Sequence, residues 1–114
     1  MAIDVILERS FMQNKYHNKK TTIDNIRFDS AKEAKRYEQL KLLQAAGEIR
    51  NLELQPRYDL VVNRQKIGFY KADFRYHDMN GEKIIEDVKG VRTPVYRLKK
   101  KLVKAIYGID IIEI

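Results

Sequence analysis

Residues 71–90 read KADFRYHDMNGEKIIEDVKG, and the way this stretch turns decides what the chain can be. Apolar and polar residues alternate on either side of Met79-Asn80-Gly81, so two strands joined as a hairpin are expected. Alternation sets Asp73 on one face with Lys71 and Arg75, and Asp87 on one face with Ile85 and Lys89. The loop decides whether those faces coincide. A two-residue type I′ turn at Asn80-Gly81 would oppose Asp73 to Val88 and send the two aspartates to opposite sides of the sheet. A three-residue loop, Met79-Asn80-Gly81, with Gly81 in the left-handed region of a bulge, sets Asp73 directly opposite Asp87. We take the second register, because it gives three charged groups a joint purpose. Opposed like charges destabilise a sheet, and Lys89 together with a divalent cation would offset them.

Downstream, Thr93 is the expected N-cap and Pro94 the first residue of a helix running to about Tyr107 and stopped by Gly108. Its core stripe is expected at Val95, Leu98, Leu102 and Ile106, leaving Arg97, Lys100, Lys101 and Lys104 outward. That outer face is either solvated or in contact with phosphates. Lys99 lies beside the stripe and, with Tyr96, is a candidate to flank a site on the sheet. Arg92, in the loop after Lys89, is a candidate phosphate contact. The closing IDIIEI is a short strand against the sheet.

Upstream, Ser30 followed by Glu33 is a capping-box signature that opens a helix to about Ala46, with Gly47 as its stop. Glu33, Tyr37, Leu40 and Gln44 share one stripe of it. Glu33 either only closes the capping box or also serves a site. One strand is expected over residues 52–62, with Pro56 marking an edge or a bulge. NRQK makes a turn, and GFYKADFRYHD is the next strand. The order is helix, three strands, helix, strand, in a single domain spanning 1–114 with residues 1–22 as an N-terminal extension. Residues 1–13 are a short strand or helix with no functional assignment. The stretch NKYHNKKTT, carrying Lys19 and Lys20, is either a basic arm that touches phosphates or a solvated lead-in.

Composition narrows the chemistry. The 114 residues, 44% of them hydrophobic, suffice for one modest core. Lys and Arg outnumber Asp and Glu by 23 to 16, for a net charge of +7, which favours a polyanionic partner. The absence of cysteine excludes disulfides and thiolate metal sites. His17 and His77 lack ligand spacing, so oxygen ligands and a hard cation such as Mg²⁺ remain. No apolar run approaches the roughly 18 residues of a membrane span, and a soluble, intracellular protein is expected.

Taken in order, FDSAKEAKRYEQLKLLQAAGEI, LELQP, KADFRY, EDVKG and TPVYRLKKKL resemble a phage and prophage family of small nucleases in the PD-(D/E)XK superfamily, often described as a domain of unknown function. The resemblance covers residues 14–114. It implies an α/β, restriction-endonuclease-like αβββαβ core with a mixed central sheet flanked by helices. Asp73 matches the acid of the PD half-motif, with Ala72 in place of proline; Asp87 and Lys89 match the (D/E)XK half, and Glu33 the helix acid. The implied activity is Mg²⁺- or Mn²⁺-dependent hydrolysis of DNA phosphodiesters. Its metal ligands would be Asp73, Asp87, the Val88 carbonyl and Glu33, with Lys89 orienting the water. Nucleic-acid contacts are expected at Lys19, Lys20, Arg92, Tyr96, Lys99 and Lys100, with Gln55 as a neighbour of the site. Relatives that resolve Holliday junctions imply branched DNA, phage recombination or replication, a homodimer and the host-cell cytoplasm. The alternatives are an inactive, basic nucleic-acid-binding module and a restriction or end-processing nuclease.

Overall fold

The computed structural model describes residues 20–114; residues 1–13, His17 and Lys19 lie outside them. The described elements are β1 (Thr21–Ile23), β2 (Ile26–Phe28), α1 (Ala31–Ala45), β3 (Arg50–Leu54), β4 (Arg57–Val62), β5 (Gln65–Lys71), β6 (Phe74–His77), β7 (Lys83–Asp87), α2 (Pro94–Tyr107) and β8 (Ile111–Glu113). The chain divides into two compact units, residues 1–42 and 43–114, with the boundary inside α1.

In the first unit, Asp24 and Asn25 both take positive φ, 53° and 63°, and form a two-residue turn that pairs β1 with β2, Thr21 against Phe28. Thr21 and Thr22, assigned above to an N-terminal extension, are therefore strand residues. The Ser30 hydroxyl accepts the Glu33 N–H at 3.1 Å, as the capping signature requires. Glu33, Ala34, Tyr37 and Leu40 form the buried face of α1. The Tyr37 ring lies 5.0 Å from that of Phe28, and its hydroxyl donates to Asp24 at 2.9 Å. Burial, reinforced by that carboxylate, raises the Tyr37 pKa. At its end α1 closes with Glu48 N–H on Leu43 O and Gly47 N–H on Gln44 O, Gly47 standing at φ 80°.

The second unit is built on one long ribbon that bends. Leu54↔Phe74 and Arg57↔Lys71 belong to the same antiparallel frame, and the gap between them is bridged by Gln55 N–H to Asp73 O and Ala72 N–H to Pro56 O. The single strand expected over 52–62 is thus two strands, β3 and β4, and the expected strand 68–78 is likewise split into β5 and β6. The break falls where Gln55 takes φ 51° and Pro56 has no N–H to give a ladder. It separates a two-stranded sheet, β4-β5, from a four-stranded one in the order β3-β6-β7-β8. Five strands, not three, therefore lie between the helices.

The β6-β7 hairpin takes the three-residue register. Asp78 N–H bonds Glu82 O at 2.9 Å, Gly81 N–H bonds Asp78 O at 3.0 Å, and Gly81 stands at φ 79°. The ladder runs from His77↔Lys83 to Phe74↔Glu86, and at Asp73 it breaks, the Asp73 N–H donating to Glu86 O. From β7 the chain crosses over through α2 and returns as β8, parallel to β7, so the sheet is mixed and the fold is α/β.

Both ends of α2 are where the sequence puts them: Thr93 Oγ1 accepts the Tyr96 N–H, Pro94 opens the helix, and Gly108 closes it at φ 70° with its N–H on Lys104 O. The buried face is different from the expected one. Tyr96 and Val103 are its buried residues, while Val95 and Leu98 are 61% and 58% exposed. The helix is rolled so that Tyr96 enters the core, where its ring lies 6.3 Å from that of Tyr70 and its hydroxyl finds a carboxylate. Tyr58, Leu60, Tyr70, Ala72, Ile85 and Ile111 complete that core, with Leu102 and Ile106 packed partly against it. No described helix is long and apolar enough to cross a membrane.

Candidate active site at the carboxyl end of β7

The open end of β7, where the parallel strand leaves for the crossover helix, is the position at which α/β sheets characteristically bind ligands. Asp87 is the last residue of β7 and is 2% exposed. Its Oδ2 accepts the Tyr70 hydroxyl, and its Oδ1 lies 3.3 Å from the Lys89 ammonium. That ammonium also stands 4.2 Å from the centre of the Tyr96 ring, so it is held between a carboxylate and an aromatic face. The period of two that placed Asp87 and Lys89 on one face is confirmed by this contact. Burial, then the bond to Asp87, pushes the Tyr70 pKa well above the ordinary phenol value; the hydroxyl keeps its proton and serves as a donor.

Asp73 sits at the bend of the ribbon. Its N–H donates to Glu86 O, and its carboxylate reaches the end of β7, where Oδ2 accepts the Val88 N–H at 2.6 Å. Gln55 adjoins it through the backbone bond to Asp73 O. Asp73, Asp87, Val88 and Lys89 lie in one unit, with Asp73 on the Val88 N–H and Lys89 beside Asp87.

A third carboxylate stands in the same row. Asp87 pairs with Glu113 across the parallel ladder, and Glu113 collects Arg92 Nε and the Tyr96 hydroxyl, each at 2.8 Å, and the Lys100 ammonium at 3.4 Å. The Arg92 and Tyr96 hydrogen bonds hold its pKa well below the usual carboxylate range, at about 2. The Tyr96 pKa is raised by burial and by donation to Glu113. Arg92, Tyr96 and Lys100 thus meet at Glu113, beside Asp87.

The remaining candidates make none of these contacts. Glu33 is buried in the first turn of α1, in the other unit. Lys99 extends over the Phe69 ring, 5.4 Å from its centre, and not toward Asp87. Lys20 is exposed just before β1 in the other unit, and Lys19 is outside the described residues. His77 lies 3.5 Å from the Asn51 amide, an ordinary polar neighbour. Among the described residues no group of three or more His, Cys, Asp or Glu side chains is gathered as a metal cluster.

Three residues at or behind this site went unnoticed in the sequence. Tyr70 is an odd number of positions from Asp73, so simple alternation sets them on opposite faces; the break between β5 and β6 falls between them. Glu113 belongs to a strand whose parallel partner no local signal announces. Glu86, 1% exposed and bonded by the Tyr76 hydroxyl, alternates with Asp87 and lies on the other face of β7.

A mixed sheet with a β7-α2-β8 crossover, ending in an acid, a base and a second acid, defines an α/β protein with a compact polar site at the end of β7. Residues 13–111 match the family described as a protein of unknown function, DUF1064, and the chain belongs to that family. No curated protein and no solved structure matches it.

Proposed function

We propose that the chain is a metal-dependent DNA endonuclease of the restriction-endonuclease-like type, hydrolysing phosphodiester bonds at Asp73, Asp87 and Lys89. The observation that carries this reading is the Asp73 carboxylate on the Val88 N–H, one residue from Asp87, whose own carboxylate lies 3.3 Å from the Lys89 ammonium. Hard oxygen donors suit Mg²⁺ or Mn²⁺, and Mg²⁺ is commonly held by one or two carboxylates, with waters and substrate phosphates completing its shell. A pair of aspartates therefore fits it, and Asp73, Asp87 and the Val88 carbonyl would hold it. Once bound, it would offset charge on the phosphoryl oxygens and lower the pKa of a water.

The chain's own groups supply the rest. Lys89, fixed between Asp87 and Tyr96, donates a hydrogen bond that orients the attacking water and offsets charge on the phosphoryl group. Tyr70 holds the Asp87 carboxylate in one orientation. Arg92 and Lys100, gathered at Glu113, offer cations to the flanking backbone. The preferred substrate is branched DNA of the Holliday-junction kind, in phage recombination or replication in the cytoplasm. A two-fold dimer would bring two sites to two strands.

The test is incubation with Mg²⁺ and a four-way junction beside a linear duplex. Internal cuts in the junction, lost in Asp73→Asn and in Asp87→Asn, are expected. Equal cutting of both substrates removes the junction preference. The role that the resemblance gives Glu33 is settled by Glu33→Gln in the same assay.

A second reading, a basic nucleic-acid-binding module without activity, is favoured by one observation: both oxygens of Asp87 are already engaged, by Tyr70 and Lys89. Under it, wild type and Asp87→Asn bind DNA alike and neither cuts.

A further inference from the structure

Between α2 and β8 runs an open groove of about 540 Å³. Its wall is the helical stripe Arg97, Lys100, Lys101 and Lys104, spaced i, i+3, i+4 and i+7, and Arg92 closes one end. Ile109 and Ile111 line it as well, and they do not project from it: Ile111 is buried and Ile109 half-buried. Five cations face two carboxylates, Glu113 and Asp110. Arg92 and Lys100 are paired with Glu113 and Lys104 with Asp110 at 2.8 Å, while Arg97 and Lys101, both exposed, make no ion pair with the described residues.

We propose that this groove is a track for a nucleic-acid phosphate backbone, continuous through Glu113 with the site at Asp87 and holding the segment that flanks the cleaved bond. The inference rests on the proposed function for its choice of polyanion. The dimensions agree with it: seven residues of helix span about 10 Å, and one strand of a duplex advances roughly 3.4 Å along its axis per phosphate. About three phosphates therefore face the stripe, and three uncompensated positive charges face them. A small anion would use only part of a groove so long. A membrane surface would call for large projecting apolar side chains; here the two isoleucines are recessed, and Ala105, which also lines the groove, is too small to insert.

The experiment is DNA binding by fluorescence anisotropy in EDTA, as a function of salt, for wild type, Arg97→Gln/Lys101→Gln, and a control of equal charge change at two exposed lysines outside the groove, Lys32→Gln/Lys83→Gln. The groove variant is expected to bind more weakly, with the slope of log K against log salt reduced in magnitude by about 1.8, or about 0.9 per lost phosphate contact. The control should keep the wild-type slope. Equal effects from the two variants, or an unchanged slope in the groove variant, overturn the proposal. So does displacement of the DNA by polyglutamate as effective as by unlabelled DNA, which would mark the groove as a site for acidic protein. Because no magnesium is present, the result is independent of cleavage: groove-dependent binding without cutting in Mg²⁺ defeats the nuclease reading and leaves the groove assignment standing.

Discussion

Tyr70 donates its hydroxyl to Oδ2 of Asp87, tying β5 of the two-stranded sheet to β7 of the four-stranded one. The carboxylate is buried, so the donor it receives is not replaceable by bulk water at no cost. This one contact ties the bend in the ribbon to the site that the bend creates.

Tyr70→Phe keeps the ring in the core and removes only the O–H. Hydrogen bonds to charged groups contribute about 1.5–3 kcal/mol, and a loss of that size in urea unfolding, with the m value unchanged, is expected. Wild-type stability in the variant would mean that the hydroxyl does not support Asp87.

The proposed function gives Lys89 a part in chemistry, and its ammonium is partly exposed while its partner Asp87 is buried. Lys89→Gln is expected to reduce cleavage by roughly 10²–10⁴-fold, the range for loss of a positioned proton donor, with DNA affinity in EDTA changed far less. Lys89→Arg should rescue poorly, because a planar, longer fork does not set a compact point charge 3.3 Å from Asp87 Oδ1. Parallel losses of affinity and cleavage would assign Lys89 to binding alone.

What the sequence made legible was local. Ser30 and Glu33, Thr93 and Pro94, Gly47 and Gly108 fix the helix ends through hydrogen bonds that reach only a few residues, and the Met79-Asn80-Gly81 turn fixes the register from His77↔Lys83 to Phe74↔Glu86. The illegible features depend on distant partners. Alternation runs unbroken through Gln55-Pro56 and Ala72-Asp73, so Pro56, read as an edge or a bulge, is the one local sign of the bend that splits both strands. The roll of α2 follows from where Tyr96 finds Glu113 and Tyr70, and an apolar count along the helix favoured Val95 and Leu98 instead. Glu113 acquires its place from a parallel ladder closed by a crossover of more than twenty residues.

Glu113 gives the site a pH signature. Its pKa is about 2 in the folded protein against 4.5 for the unperturbed group, lowered chiefly by Arg92 and then by Tyr96. A folded value below the unfolded one means that the unfolded state binds the proton more readily, so the contribution to stability is complete above about pH 4.5 and fades as pH falls toward 2. Wild type should therefore exceed Glu113→Gln in melting temperature near neutrality, with the difference shrinking across that window and reduced by salt because Arg92 is largely exposed. A pH-independent difference would contradict the assignment.

Gly81 tests the register itself. It stands at φ 79°, and a Cβ added there would meet only Arg50 Nη2, at 3.5 Å, an ordinary contact. Space is available, so the cost of a side chain is conformational: an L residue in the left-handed region loses about 1–2 kcal/mol, and Asn loses less because its short polar side chain tolerates that region. Gly81→Asn should therefore be better tolerated than Gly81→Ala despite its larger volume, and Gly81→Val should be the worst of the three. Were volume the limit, Ala would be the mildest. Because the alternative two-residue loop would turn Asp73 away from Asp87, cleavage in Gly81→Val is expected to fall by more than its loss of stability explains, whereas Gly81→Asn retains both.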